Sequence, residues 1–140
     1  MFYIDTSAIV ALLSNEASVD RVDSWFAAQK ALPFLISDWT ITEISSALSL
    51  KRRAGSLSAP KHLAALSEFR IMAETSFEIL PVSRAHFQTA ANYTDLHDLG
   101  LRSGDALHLA VAMEADATIV TLDKRFAIAA KELSGSSLLL

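Results

Sequence analysis

Ala117-Thr118-Ile119-Val120-Thr121-Leu122 is a continuous apolar and β-branched run that ends at Asp123. Such a run is typical of a strand that is covered on both faces in a parallel sheet. Residues 104–114, with Ser103 as the predicted cap, precede it and are apolar on nearly all sides, which predicts a buried helix. Residues 124–133 predict a further helix. This part of the chain is therefore predicted to be a strand packed between helices.

The chain begins with the same order of strand and helix. Phe2-Tyr3-Ile4 is a short β-prone run that stops at Asp5. Thr6 is the predicted cap of a helix over residues 7–13, because a threonine oxygen can accept hydrogen bonds from the first turn. The pattern predicts a strand, a tight turn and a helix.

A further strand and helix are predicted after Pro33. Phe34-Leu35-Ile36 is the predicted strand. Ser37 or Asp38 is predicted to cap the helix that follows, whose apolar residues recur at helical spacing, and Gly55 is predicted to end it.

The middle of the chain continues this alternation. A longer helix is predicted to begin near Pro60, and residues 77–82 are the next predicted strand. Pro81 indicates an edge position or the end of that strand, because proline cannot donate a hydrogen bond to the sheet. Ser83 is the predicted cap of a helix that stops before Gly100.

Strands that alternate with helices imply βαβ units, and βαβ units imply a parallel sheet with helices on both faces. The predicted fold is α/β, a three-layer α/β/α sandwich around a mainly parallel sheet of four to five strands. Residues 134–140 are either a last strand or a docked tail. The length of 140 residues predicts a single domain over residues 1–140.

The composition excludes several classes of protein. A chain with 51% hydrophobic residues is too apolar for a disordered protein, and a net charge of -4 gives no basic field for non-specific nucleic-acid binding. The absence of cysteine excludes disulfides, a thiolate nucleophile and cysteine metal sites. Any metal must therefore be held by oxygen or imidazole.

The first residues do not resemble a secretion signal. They lack a basic segment, and Asp5 interrupts the apolar run. The sequence also has no apolar run near the roughly 18 residues of a membrane span. We expect a soluble, cytoplasmic protein that does not contact membranes.

Four carboxylates are predicted to meet at one edge of the sheet. Asp5 and Asp123 follow predicted strands, Asp105 lies in the first turn of the buried helix, and Glu43 is on the second helix. Ligands of parallel sheets bind at the carboxyl ends of the strands. Each residue alone could be a cap, a turn residue or a solvated side chain, but their shared placement favours a site. His108 is interpreted as a hydrogen-bonded structural residue rather than a metal ligand.

Such a cluster needs a compensating positive charge, because neighbouring carboxylates resist joint ionisation. Mg²⁺ and Mn²⁺ prefer oxygen ligands and bind to carboxylates together with phosphates. Thr6, Ser7 and Thr121 add hydroxyls beside Asp5 and Asp123, where they could orient metal-bound water or a phosphate oxygen. The predicted reaction is metal-assisted phosphodiester hydrolysis.

Several cationic and aromatic residues could contact a nucleic acid. Arg102, Lys124 and Arg125 adjoin the acidic residues and are predicted to bind the phosphates of a substrate. The run Lys51-Arg52-Arg53 ends the second helix, where the helix dipole alone explains it, with a phosphate contact as the alternative. Trp39 could stack on a base, although packing is the favoured interpretation.

Four segments, in this order, resemble the acidic motifs of PIN-domain nucleases, most closely those of VapC-type toxins of bacterial toxin–antitoxin systems. They are Ile4-Asp5-Thr6-Ser7-Ala8, Thr42-Glu43-Ile44, Leu101-Arg102-Ser103-Gly104-Asp105-Ala106-Leu107-His108-Leu109-Ala110 and Val120-Thr121-Leu122-Asp123-Lys124-Arg125-Phe126. The resemblance extends from Tyr3 to about Leu133. One departure is the pair Ser103-Gly104, which predicts a flexible turn before the acidic residue.

The resemblance implies a Mg²⁺- or Mn²⁺-dependent endoribonuclease. Its metal-binding acidic site would be Asp5, Glu43, Asp105 and Asp123, with Thr121 and Thr6 in support. It also implies a homodimer and a cognate VapB-like antitoxin that inserts an arginine-bearing segment into the acidic groove. A guanidinium can pair with carboxylates that otherwise hold a metal.

Two other functions remain open at this point. A phosphatase of the haloacid-dehalogenase type also begins with an aspartate after its first strand, but it needs a second aspartate where this chain has Ser7. A non-catalytic α/β module could keep an acidic pocket for ion binding alone. Phosphomonoesterase assays test the first alternative, and metal binding without RNA cleavage would favour the second.

Overall fold

The computed structural model describes residues 1–29 and 34–140, so Pro33 lies outside the described residues. The strands are β1 (Phe2–Ile4), β2 (Phe34–Ser37), β3 (Phe77–Leu80), β4 (Thr118–Thr121) and β5 (Ser137–Leu139). The helices are α1 (Thr6–Leu13), α2 (Val19–Ala28), α3 (Asp38–Arg53), α4 (Ala59–Thr75), α5 (Arg84–Asp95), α6 (Ser103–Glu114) and α7 (Lys124–Glu132), with a 3-10 turn at His97–Leu99.

The five strands form one sheet in the order β3-β2-β1-β4-β5, and every neighbouring pair is parallel. This confirms the predicted α/β class, and the end of the chain forms a fifth strand rather than a docked tail. From β1 the chain first adds strands on one side of the sheet and then crosses to the other side at β4. The crevice between the carboxyl ends of β1 and β4 is therefore the topological switch point, where open α/β sheets bind their ligands.

Consecutive residues of the central strands point to opposite faces of the sheet, as the strand repeat of two requires. Ile4, Ile36 and Val120 pack in one core against helices α1 to α4. Their neighbours in sequence pack in a second core against α6 and α7; these are Tyr3, Leu35 and Ile119. Both faces of the sheet are covered, which confirms the three-layer arrangement.

Two predicted helix caps are wrong. Asp5, not Thr6, is the N-cap of α1, and its carboxylate accepts from the backbone N–H of Ser7 at 3.3 Å. Helix α6 already includes Ser103, and Arg102 holds its N-cap position without a side-chain cap. The strand-end carboxylate precedes the helix directly and is a stronger acceptor than the hydroxyl beside it, which explains the first correction.

Other sequence signals have the predicted role. Ser37, rather than Asp38, caps α3, and Ser83 caps α5. Pro81 comes directly after β3, which lies at an edge of the sheet. Gly100 has a positive φ of 59°, a conformation that suits glycine, and it ends the 3-10 turn after α5.

Helix α2 is a feature that the sequence analysis did not predict. Ser18 at its N-cap makes no side-chain cap hydrogen bond, and Val22 is its only fully buried residue. Aromatic contacts dock it instead: the rings of Phe2 and Trp25 are 5.1 Å apart, and those of Phe26 and Phe34 are 4.9 Å apart. The partners Phe2 and Phe34 lie outside the helix, so the sequence of the helix itself carries little sign of these contacts.

Among the described residues, no helix combines the length and the apolar character that a membrane crossing requires.

The position of Ile119 makes it a sensitive probe of the core. It is almost fully buried in β4, so Ile119→Ala should lower the free energy of unfolding by about 2–5 kcal/mol. Ile128 on α7 is 52% exposed, and Ile128→Ala should change it by less than about 0.5 kcal/mol. Urea denaturation of the two variants measures the difference. Equal losses would contradict the burial of Ile119 in the core.

Candidate active site

Asp5 lies at the switch point, directly after β1, and is buried. Its Oδ2 accepts from Oγ1 of Thr121 at 2.8 Å and from Oγ of Ser7 at 2.5 Å. The Thr121 hydroxyl also accepts from the backbone N–H of Asp123 at 2.9 Å. These donors compensate the burial of the carboxylate and fix its orientation, and they leave Oδ1 directed towards His108, whose Nε2 is 3.7 Å away.

Glu43 reaches the same place from α3. Its Oε2 accepts from Oγ1 of Thr6 at 2.8 Å and lies 2.8 Å from Nε2 of His108. Partial burial acts to raise the pKa of Glu43, but the hydrogen bonds from His108 and Thr6 outweigh it and hold the pKa below its ordinary value. Glu43 is therefore an ionised carboxylate beside Asp5.

Gly104 provides the room that Glu43 needs. A Cβ at position 104 would collide with Oε1 of Glu43 and would lie 3.4 Å from Nε1 of Trp39. The residue is within helix α6, so the expected flexible turn before Asp105 is wrong. Instead, the absence of a side chain at Gly104 allows the Glu43 carboxylate to lie against helix α6.

Asp105 and Asp123 form the outer part of the site, where Arg102 bridges them. The guanidinium donates from Nε to Asp105 at 2.9 Å and from Nη2 to Asp123 at 2.7 Å. Burial raises the pKa of Asp105 above its ordinary value, and the hydrogen bond from Arg102 opposes this effect. Arg102 itself is 70% exposed, so solvent screens both ion pairs.

The four predicted carboxylates line one open cleft of about 540 Å³. Within it, Asp5, Glu43 and His108 offer ligand atoms that all lie within 4.8 Å of one another, so this group could hold a metal ion. The structure thus brings together the acidic residues that the sequence places on four separate segments.

Two predicted phosphate contacts lie outside this cleft. Lys124 and Arg125 line a neighbouring cavity of about 570 Å³, together with Asp98 and Glu132. At the far end of α3, Nζ of Lys51 pairs with a carboxylate oxygen of Glu16 at 2.7 Å, which agrees with a structural role for that basic run.

Trp39 packs beside a small apolar cluster on α5 and α6 and also lines the cleft. Its buried Nε1–H helps to lower the pKa of Glu43, although it makes no hydrogen bond of ordinary geometry among residues 1–29 and 34–140. Packing beside the acidic site is its observed role, and base stacking stays a prediction.

The contact between His108 and Glu43 was not predicted from the sequence. The separation of three between Asp105 and His108 places both residues on one side of α6, which was the available signal. The apolar surroundings favoured a structural interpretation. That interpretation is partly confirmed, because Nδ1 of His108 is 2.8 Å from the hydroxyl of Tyr3.

The fold is that of a PIN domain. The family model described as PIN domain matches residues 2–132, and the chain belongs to this family.

Within the family, the chain is similar to VapC proteins. It is 34% identical over 139 residues to Ribonuclease VapC35 of Mycobacterium tuberculosis, covering 96% of this chain and 93% of the relative. Among solved structures, VapC20 of Mycobacterium tuberculosis, a sarcin–ricin loop cleaving toxin, has a TM-score of 0.74 at 21% identity, covering 92% of this chain and 95% of its own. VapBC2 of Rickettsia felis, bound to a promoter DNA fragment, has a TM-score of 0.66 at 19% identity, covering 100% and 99%. These structures confirm the predicted fold.

The close approach of Glu43 to Gly104 can be tested by substitution. Gly104→Ala should weaken Mn²⁺ binding by about 10-fold or more, because the added methyl displaces a carboxylate of the site. Stability should change little, since Glu43 is the flexible partner in that collision. Titration calorimetry with Mn²⁺ measures the effect, and Ser103→Ala, an exposed neighbour, is the control. Wild-type affinity in Gly104→Ala would show that Glu43 is not held at this position for binding.

Proposed function

We propose that this protein is a Mg²⁺- or Mn²⁺-dependent endoribonuclease of the VapC type, built as one nuclease domain over residues 1–140 and acting in the cytoplasm. One observation carries the proposal. The carboxylates of Asp5, Glu43, Asp105 and Asp123 line a single cleft in a PIN-domain chain that is 34% identical to Ribonuclease VapC35.

The residues of the cleft fit a hard divalent cation. Four carboxylates and no sulfur ligand are what Mg²⁺ and Mn²⁺ prefer. The guanidinium between Asp105 and Asp123 also supports this assignment, because two of the carboxylates already share a cationic group. Asp5, Glu43, Asp105 and Asp123 would hold the ion. When bound, it would polarise the phosphate and lower the pKa of water.

The remaining polar residues support and orient this site. The hydroxyls of Thr121 and Ser7 hold Asp5 in one orientation, and Thr6 holds Glu43. Arg102 is exposed and joined only to carboxylates, so it can exchange them for a phosphate of the substrate. Lys124 and Arg125 would contact RNA beyond the scissile phosphate.

A VapB-like antitoxin and a homodimer complete the proposal. The position of Arg102 supports the first, since it demonstrates that a guanidinium fits between Asp105 and Asp123. An arginine of the antitoxin would occupy the same place and exclude the cation. The similarity to VapBC2, a toxin–antitoxin assembly by its name, adds support.

The proposal is tested by cleavage of total cellular RNA with purified, antitoxin-free protein in Mg²⁺, Mn²⁺ or chelator. Wild-type protein should give discrete products only with metal. Asp5→Asn and Asp105→Asn should each lower the rate by more than about 100-fold, exceeding the loss typical of supporting residues. Their circular dichroism should stay unchanged.

Asp95→Asn is the matched control, because Asp95 is exposed on α5. It should cleave at the wild-type rate. Full activity in both site variants would overturn the site assignment, and a folded wild-type protein that binds Mn²⁺ but cleaves no RNA would favour a non-catalytic module.

The role of Arg102 predicts a salt effect. In an Asp5→Asn background, Arg102→Ala should weaken RNA binding and reduce the slope of log affinity against log salt by about 1, the value for one lost phosphate contact. Fluorescence anisotropy over a salt series measures the slope. Arg70→Ala, on the exposed side of α4, should leave it unchanged. An unaltered slope in Arg102→Ala would assign Arg102 to the carboxylates alone.

A further inference from the structure

A line of buried polar side chains connects the cap of α3 to Glu43 on the same helix. Oγ of Ser37 is 2.7 Å from the hydroxyl oxygen of Tyr3, which is 2.8 Å from Nδ1 of His108. Nε2 of His108 is 2.8 Å from Oε2 of Glu43. Ser37, Tyr3 and His108 have no solvent-exposed surface, so these contacts are not shared with bulk water.

The donors and acceptors of this line can be assigned from its two ends. Oε2 of Glu43 accepts from the Thr6 hydroxyl at 2.8 Å, so the second contact to this oxygen, 2.8 Å from Nε2 of His108, requires a hydrogen on Nε2. At the other end, the backbone N–H of Thr40 donates to Oγ of Ser37 at 3.4 Å as part of the capping box of α3. The Ser37 hydroxyl then has two possible acceptors, the oxygen of Tyr3 at 2.7 Å and Oγ1 of Thr40 at 3.3 Å, and the shorter contact assigns its hydrogen to Tyr3.

Tyr3 completes the assignment. The Tyr3 hydroxyl has one hydrogen to donate and an oxygen that can accept, and it contacts both Ser37 and His108. With Ser37 as a donor to its oxygen, the Tyr3 proton is directed to Nδ1 of His108. Successive hydrogen bonds in the same direction strengthen one another in a buried environment.

We propose that His108 is a positioning residue, which Tyr3 fixes as the Nε2–H tautomer and which in turn holds the Glu43 carboxylate for metal binding. His108 and Thr6 both bond to Oε2, which fixes the carboxylate with Oε1 above Gly104. A nitrogen that donates its hydrogen to Glu43 has no lone pair for a cation. His108 therefore acts through Glu43 rather than as a ligand. The consequence for catalysis rests on the proposed function, whereas the hydrogen bonding does not.

His86 provides an internal reference for the tautomer. The backbone N–H of Ser83 donates to its Nδ1 at 3.0 Å, and its Nε2 is 2.9 Å from a carboxylate oxygen of Glu114. A backbone N–H can only donate, so His86 carries its hydrogen on Nε2. It is also a buried histidine beside a carboxylate, on α5 and outside the residues that line the cleft.

The first test is a long-range ¹H–¹⁵N spectrum of metal-free, uniformly ¹⁵N-labelled protein, with His108 assigned from the signal lost in His108→Gln. The His108 ring should have the pattern of His86, a protonated Nε2 and a bare Nδ1. Tyr3→Phe should shift the His108 signals and leave those of His86 unchanged. A hydrogen on Nδ1 of His108, alone or in a doubly protonated ring, would overturn the proposal.

The second test is Mn²⁺ affinity by calorimetry in matched variants. His108→Asn places no donor near Glu43 and should weaken binding by about 10- to 100-fold. His108→Gln keeps an amide N–H near the position of Nε2 and should recover most of that loss. Tyr3→Phe should weaken binding about fivefold, the effect of one neutral hydrogen bond.

His86→Gln is the control for the loss of a buried histidine and should bind Mn²⁺ like the wild type. Equal losses in His108→Gln and His108→Asn would contradict positioning and indicate that the ring is a ligand or only a packing element. Wild-type affinity in both would also overturn the proposal. Thermal unfolding of each variant separates these results from a loss of fold.

An RNA cleavage assay distinguishes failure of the positioning role of His108 from failure of the proposed ribonuclease function. If wild-type protein cleaves RNA, raising Mn²⁺ should restore the kcat of His108→Asn, because the variant changes metal affinity and leaves the carboxylates in place. A kcat deficit that persists at saturating Mn²⁺ would contradict positioning. If wild-type protein cleaves no RNA, the proposed function fails, and the spectrum and the Mn²⁺ affinities still decide the role of His108.

Discussion

The hydrogen bond between Thr121 and Asp5 joins the ends of β1 and β4, and the arrangement of the cleft depends on it. The parallel register pairs Ile4 with Val120, so the next residues of both strands meet at the sheet edge. The backbone N–H of Asp5 continues this pairing at 3.0 Å from the carbonyl of Val120. A buried carboxylate is costly unless donors surround it, and here the sheet register supplies them. The fold and the inner acidic residue therefore stabilise each other.

The two parts of the cleft balance their negative charge in different ways. In the inner part, Asp5 and Glu43 receive hydroxyl and imidazole donors that the core holds in place. In the outer part, Asp105 and Asp123, with side chains 17% and 31% exposed, share the guanidinium of Arg102. Exposed ion pairs contribute little to stability and exchange readily, so the outer charge can pass from an arginine to another cation at small cost. The donors around Asp5 and Glu43 fix the positions of these two carboxylates, whereas the ion pairs of Asp105 and Asp123 allow one cation to replace another.

The sequence was sufficient for the α/β class and for the position of Asp5 and Asp123 at one edge of the sheet, because both follow from local patterns. Runs such as residues 117–122 identify buried strands, and parallel strands place their following residues at one edge. Helix α2 was missed because it is stabilised by the packing of its Trp25 against Phe2 and Phe34, which lie outside the helix. The roles of Gly104 and His108 were also missed, since each depends on Glu43, a residue more than 60 positions away in the chain.

The connection between the cap of α3 and Glu43 explains how a small protein can hold the Glu43 carboxylate in one position. Ser37 and Thr40 form the capping box that starts α3, and through Tyr3 and His108 they also reach Glu43 one to two turns along the same helix. A buried polar network with every member satisfied is rigid, and one that loses a member is costly. The start of α3 therefore cannot shift without disturbing Glu43, so the stability of the helix cap and the geometry of the site are set by the same hydrogen bonds.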